Sequence, residues 1–90
     1  MVTVIDFWAP WCKTCPAVHK VIDELKDKYR DVEFKKVNIE KVGDMDIARS
    51  YNIKSLPTIL ILKDGRPLWQ RVGVVSRETL EHFIKGVLNG

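Results

Sequence analysis

Trp11-Cys12-Lys13-Thr14-Cys15-Pro16 stands where an apolar run, Val2 to Trp8, gives way to a stretch whose apolar residues recur at helical spacing. Cys12 and Cys15 are the only two cysteines among 90 residues, so every thiol of the chain lies in one C-x-x-C. Two intervening residues set the thiols one helical turn apart, where a small ring closes without displacing the backbone. Thiol–disulfide exchange needs one ionised, accessible thiol and a second near enough to displace the mixed disulfide. Cys12, at the strand-to-helix junction, meets the unpaired N–H groups and the positive end of the helix dipole, which favour a thiolate. Lowering a cysteine pKa from roughly 8.5 to roughly 7 raises the thiolate fraction at neutral pH from about 3% to about half. Cys15, inside the first turn, is expected to be more buried. Cys12 is therefore the expected nucleophile and Cys15 the resolving thiol. Pro16 fits, because a first-turn N–H has no intrahelical partner to lose.

Other uses of the cysteines fit less well. A zinc site needs four ligands, and beyond the cysteines the chain offers only His19, His82 and carboxylates, so no metal is expected. Covalent haem attachment requires histidine directly after the second cysteine, where Pro16 stands. A purely structural disulfide would close too short a loop to constrain the unfolded chain much.

Composition narrows the class. The formal charge is +3 and the pI about 9.0, but Lys and Arg are interleaved with Asp and Glu, with no basic stripe for nucleic acid. No apolar run approaches membrane-spanning length, and the first residues read as a strand rather than a leader. A soluble cytoplasmic protein, most simply a monomer, is expected. Residues 1–90 read as a single domain, without linker or repeat.

The elements alternate, which predicts an α/β unit. Val2 to Trp8 is rich in β-branched and aromatic residues and carries one charge, Asp6, as expected of a strand buried on both faces. Val18, Val21, Ile22, Leu25 and Tyr29 predict a helix from Cys15 to about Arg30. Val32 to Ile39 reads as a strand parallel to the first by the crossover rule. Gly43 to Tyr51 reads as a short helix and Leu56 to Leu62 as a third strand. Asp64-Gly65 signals a hairpin into an antiparallel strand, Pro67 to Val72, whose early proline suits a sheet edge. Ser76 caps a last helix with Leu80, Phe83, Ile84, Val87 and Leu88 on its apolar face.

With these landmarks in place, the sequence closely resembles the thioredoxin family. Val4-Ile5-Asp6-Phe7-Trp8-Ala9-Pro10-Trp11-Cys12, Lys36-Val37-Asn38-Ile39, Ile53-Lys54-Ser55-Leu56-Pro57-Thr58, Lys63-Asp64-Gly65 and Val72-Gly73 follow that family's order and spacing over nearly the whole chain. The resemblance implies a thioredoxin-like βαβαββα fold with a four-stranded mixed sheet flanked by helices. An additional N-terminal strand and helix usual in the family are not in this sequence, which would leave Val32 to Ile39 at a sheet edge. Lys35 and Lys36 would there discourage strand pairing.

The function implied is that of a protein disulfide reductase needing no metal or organic cofactor, with Cys12 and Cys15 as its redox-active pair. Its partners would be disulfide-containing proteins and a reductase such as thioredoxin reductase. A glutathione-coupled, glutaredoxin-like or isomerase-like oxidoreductase is one alternative, and a redox-inert binding module of the same fold is another.

Residue by residue, the resemblance places Asp6 behind Cys15, assisting its deprotonation. A carboxylate in an apolar strand is costly to bury unless partnered or functional, the plainer reading being a strand end facing water. Lys36 resembles the lysine that approaches this carboxyl, or else it only protects the sheet edge. Leu56-Pro57 would be cis, with Pro57 against the disulfide and the Leu56 backbone open to an extended substrate. Trp11, Leu56, Val72, Gly73 and Val74 would form the docking surface. Gly73 either admits a close backbone or answers to a turn.

Three positions, Lys13, Thr14 and Lys20, depart from the family. Lys13-Thr14 replaces the usual Gly-Pro, so Lys13 would stabilise the thiolate and make the couple more oxidising. Lys20 replaces a helix-kinking proline. His19, four residues after Cys15, either lies near it or forms a half-exposed boundary.

Overall fold

Alternation along the first strand decides how the molecule is layered. The computed structural model describes residues 1–90. They form β1 (Val2–Trp8), α1 (Cys15–Lys28), β2 (Glu33–Asn38), α2 (Val42–Ser50), β3 (Thr58–Lys63), β4 (Arg66–Val72) and α3 (Arg77–Asn89). One four-stranded sheet runs β2-β1-β3-β4. β1 is parallel to β2 and antiparallel to β3, and β3 is antiparallel to β4. This is the expected mixed sheet, with β2 and β4 at its edges.

Successive strand residues face opposite ways, so the two faces of the sheet receive different cores. Val2 and Val4 of β1 and Ile59 and Ile61 of β3 meet Val18, Ile22 and Leu25 of α1 and Leu80 and Ile84 of α3. Ile5, Phe7, Leu60 and Leu62 point the other way, onto Val37 and Ala48. Fully burying each such aliphatic or aromatic side chain contributes roughly 1.5–3 kcal/mol, which makes β1 and β3 the centre of both layers. Asp6 continues the Val2–Val4 row and so faces α1.

Boundaries shift from the sequence expectation by one or two residues, for local reasons. α1 stops at Lys28 instead of Arg30 because the Tyr29 N–H still bonds Leu25 O while its φ of −112° and ψ of 75° leave the helix. Val32 N–H then donates to Tyr29 O at 3.1 Å, a turn that delays β2 to Glu33. β3 begins at Thr58, not Leu56, since Pro57 has no N–H to give a ladder. α2 begins at Val42, one residue early. Asp64 and Gly65, with φ of 51° and 83°, make the two-residue turn of the β3–β4 hairpin. The register slips between Ile61 and Leu62, leaving Leu68 without a partner of its own in β3.

Two side-chain devices fix the helices. Ser76 caps α3 by accepting the Thr79 N–H at 3.2 Å. Glu81 of α3 accepts the Tyr29 hydroxyl at 2.7 Å and pairs with Lys28, joining α3 to the end of α1. Those two donors hold the Glu81 carboxyl down to about 2.

Candidate active site

The segment between β1 and α1 brings the cysteines together at the helix start. Cys12 N–H donates to Ala9 O at 3.0 Å, closing a tight turn after β1. Cys12 and Cys15 form a disulfide with their Cα atoms 5.5 Å apart. Cys15 is the first residue of α1 and is 1% exposed, against 8% for Cys12. The order of accessibility is the one expected, although in the disulfide Cys12 itself is largely covered. Thr14 occupies the N-cap position without a side-chain capping bond. Its hydroxyl lies instead 3.8 Å from Cys12 Sγ, where it can donate to a thiolate. Lys13 is exposed beside it.

The Leu56–Pro57 bond is cis, as expected, and Pro57 is buried. Gly73 N–H donates to Pro57 O at 2.9 Å, tying the end of β4 to this loop. Leu56 is half-buried, and its N–H and C=O take no part in the loop's backbone hydrogen bonds. Trp11, Val72 and Val74 are 63%, 56% and 47% exposed, each a large apolar side chain open to solvent. Gly73 has a φ of +100°, and a Cβ there would meet nothing within 4 Å. Its glycine thus answers to the backbone turn, not to crowding within the chain.

Asp6 is fully buried, which rules out a strand end facing water. Burial raises its pKa to about 7, against the opposing field of Lys36 and with a smaller push from Asp23. The Lys36 ammonium does not reach the carboxyl as its partner. It pairs with Asp23 Oδ1 at 2.8 Å, because α1 carries that carboxylate over the edge strand where Lys36 emerges. This bond holds Asp23 below the usual carboxylate range. Lys36 is therefore more than a guard of the sheet edge, yet it acts on Asp6 only through its field.

The residue that does meet Asp6 is His19. Its Nδ1 lies 2.9 Å from Asp6 Oδ2. The approach is not aligned for a hydrogen bond, so both Asp6 oxygens and Nδ1 are left without one. The Trp8 indole packs edge-on against the imidazole, with centroids 5.1 Å apart. Burial lowers the His19 pKa below 6.5, the Lys36 charge adding to the effect and Asp23 opposing it. Helical spacing alone left His19 between two positions. Its contact was available in one pattern: Cys15, His19 and Asp23 recur every four residues on α1, and His19 and Asp23 meet Asp6 and Lys36 of the β1–β2 pair. The Asp23 partnership and the free hydroxyl of Thr14 are the other site features that sequence reasoning missed.

No group of three or more His, Cys, Asp and Glu side chains is arranged to hold a metal, and no helix is long and apolar enough to cross a membrane. Comparison with known proteins gives one consistent result. Residues 1–86 match the family model described as Thioredoxin. A thioredoxin of Aspergillus fumigatus is 40% identical over 84 residues, which is 93% of this chain and 76% of that protein. Thioredoxin 1 of Synechococcus elongatus is 42% identical over 82 residues, 90% of this chain and 75% of that protein. Among solved structures, a mutant thioredoxin from Halobacterium salinarum superposes with a TM-score of 0.86 at 25% identity, over 94% of this chain and 73% of that one.

Proposed function

This chain belongs to the thioredoxin family and is a thiol–disulfide oxidoreductase, and on that premise we propose that Cys12 attacks a protein disulfide and Cys15 resolves the mixed disulfide so formed. The observation that carries this order is the placement of the disulfide at the start of α1, with Cys15 inside the helix and nearly inaccessible while Cys12 lies outside it beside the Thr14 hydroxyl. A helix N-terminus, a nearby hydroxyl and the Lys13 charge all favour the Cys12 thiolate. Asp6 is the base that takes the Cys15 proton, since a carboxyl with a pKa near neutrality exchanges protons readily at working pH. Lys36 tunes that carboxyl by its charge.

Trp11, Leu56, Pro57, Val72, Gly73 and Val74 form the substrate surface, where the unpaired Leu56 backbone receives an extended segment as a short added strand. The chain works as a single domain and a monomer, with no metal or organic cofactor. Electrons come from a partner reductase of the thioredoxin reductase type. A dithiol that must be kept reduced suits the cytoplasm.

Trapping tests the order of attack. Cys15→Ser is expected to accumulate a mixed disulfide with a disulfide-bonded protein on non-reducing gels, whereas Cys12→Ser forms none, because attack precedes resolution. Equal trapping by both variants would overturn the roles. Turnover of the wild-type chain with thioredoxin reductase, against glutathione, identifies the donor.

A further inference from the structure

The proton that leaves Cys15 has to leave the protein as well, and Asp6 cannot release it directly because it is fully buried. Three charged or titratable side chains stand close enough to matter. Lys36 of β2 has donors only and is engaged by Asp23. Asp23 of α1 is held below the usual carboxylate range, which makes it a poor proton acceptor. His19 of α1 remains. Its Nδ1 is 2.9 Å from Asp6 Oδ2, and nothing else on the chain occupies that nitrogen or either carboxyl oxygen. Its side chain keeps 20% of its surface open and lines a shallow depression of about 490 Å³ with Pro16, Lys20, Asp23, Glu24 and Asp27. One ring nitrogen thus lies 2.9 Å from the buried carboxyl, needing a rotation of the ring to align with it, while the imidazole reaches a surface lined by polar side chains.

We propose that His19 acts through Asp6 as the outlet for the proton released when Cys15 resolves the mixed disulfide, a positioning residue that does not touch the reacting sulfurs. The inference rests on Asp6 being the base for Cys15. In the step, the Cys15 S–H proton passes to the Asp6 carboxylate and the Cys15 thiolate attacks Cys12 Sγ. The Cys12–Cys15 bond forms as the bond from Cys12 to the substrate sulfur breaks, and that sulfur leaves with the electron pair and is protonated from solvent. The protein dithiol is oxidised by two electrons and the substrate disulfide reduced. Asp6 then gives its proton to His19 Nδ1 as Nε2 releases one to water, and the carboxylate is restored. Burial helps at both ends, since it keeps the imidazole neutral and able to accept while making the carboxyl protonatable.

Single-turnover reduction of a disulfide-bonded peptide, followed by stopped flow across pH about 5.5 to 9, separates the possibilities. His19→Ala and His19→Asn are each expected to slow resolution about tenfold at neutral pH without slowing attack by Cys12. Asn keeps a nitrogen near the Nδ1 position but cannot exchange one proton for another, so a wild-type rate in His19→Asn would mean that His19 only packs, overturning the proposal. Added imidazole is expected to restore His19→Ala in proportion to its concentration and to leave Asp6→Asn slow. If Asp6→Asn is slow and both His19 variants are fast, the outlet lies elsewhere and the role of Asp6 stands. Should Asp6→Asn resolve at the wild-type rate, the base and its outlet both fall. In the unsubstituted oxidised chain, the His19 ring shifts in NMR are expected to show a second inflection near neutrality that Asp6→Asn abolishes. A single inflection in both would equally overturn the proposal.

Discussion

Asp6 bears a stability cost that the sheet around it must offset. Its pKa is 3.8 when free and about 7 in the fold, so the native state holds a proton that the unfolded chain releases between those values. Stability from this group is therefore greatest on the acid side and falls as pH rises through about 7, by up to about 4 kcal/mol when the carboxylate is fully formed. His19 runs the other way. Its lowered pKa makes stability fall as pH drops below 6.5. Asp6→Asn removes the larger penalty, and denaturant melts are expected to show it more stable by about 1–4 kcal/mol above neutral pH, with a flatter pH profile. The same variant resolves the mixed disulfide slowly; stopped flow measures that. A variant that lost stability while keeping its rate would make Asp6 an ordinary structural residue. Asp6 was legible in the sequence as the one charge in a buried strand. His19 was not, because a residue one turn beyond Cys15 can face inward or outward, and only the docking of α1 over β1 decides between them.

At the scale of an element, the start of α1 sets the thiolate. The N-cap residue of a helix commonly spends its hydroxyl on a backbone N–H, but Thr14 spends none there and faces Cys12 Sγ at 3.8 Å. Thr14→Val is expected to raise the Cys12 pKa by about half a unit to one unit, read from the pH dependence of iodoacetamide labelling. Replacing Lys13 and Thr14 together by Gly and Pro removes a charge as well, destabilises the reduced form, and is expected to make the couple more negative in glutathione equilibration. An unchanged or less negative potential would show that this dipeptide does not set the poise. That Lys13 bears on the thiolate was readable from charge and position. The turning of Thr14 toward sulfur depends on backbone angles at the cap, φ −95° and ψ −10°, which no spacing rule specifies. Element ends were legible only to one or two residues for the same reason: the Tyr29 turn and the start of β3 after Pro57 are decided by single backbone groups.

For the molecule as a whole, the parallel β1–β2 pairing, the hairpin and the β4 edge followed from alternation, crossover and turn chemistry, since these are repeated over many residues and each repetition agrees. The β2 edge followed only from the family resemblance, and the strand order is set by the structure. The inequality of the two layers was less visible. Eleven buried residues pack on the face carrying α1 and α3, and six on the face carrying α2, to which α2 itself contributes Ala48 as its one buried residue. Amide protons should register that difference. A helix held by so little apolar contact is expected to open by itself many times for every global unfolding. In native-state hydrogen exchange, the amides of Ala48 to Ser50 should lose protection at a rate nearly indifferent to low denaturant, while those of Ile59 to Leu62 exchange only as the whole structure melts. Equal protection in both segments would mean that α2 melts with the sheet. A protease probing the native protein would find its first cut in this helix rather than in the segment that holds the dithiol, so the redox centre should outlast the integrity of the chain around it.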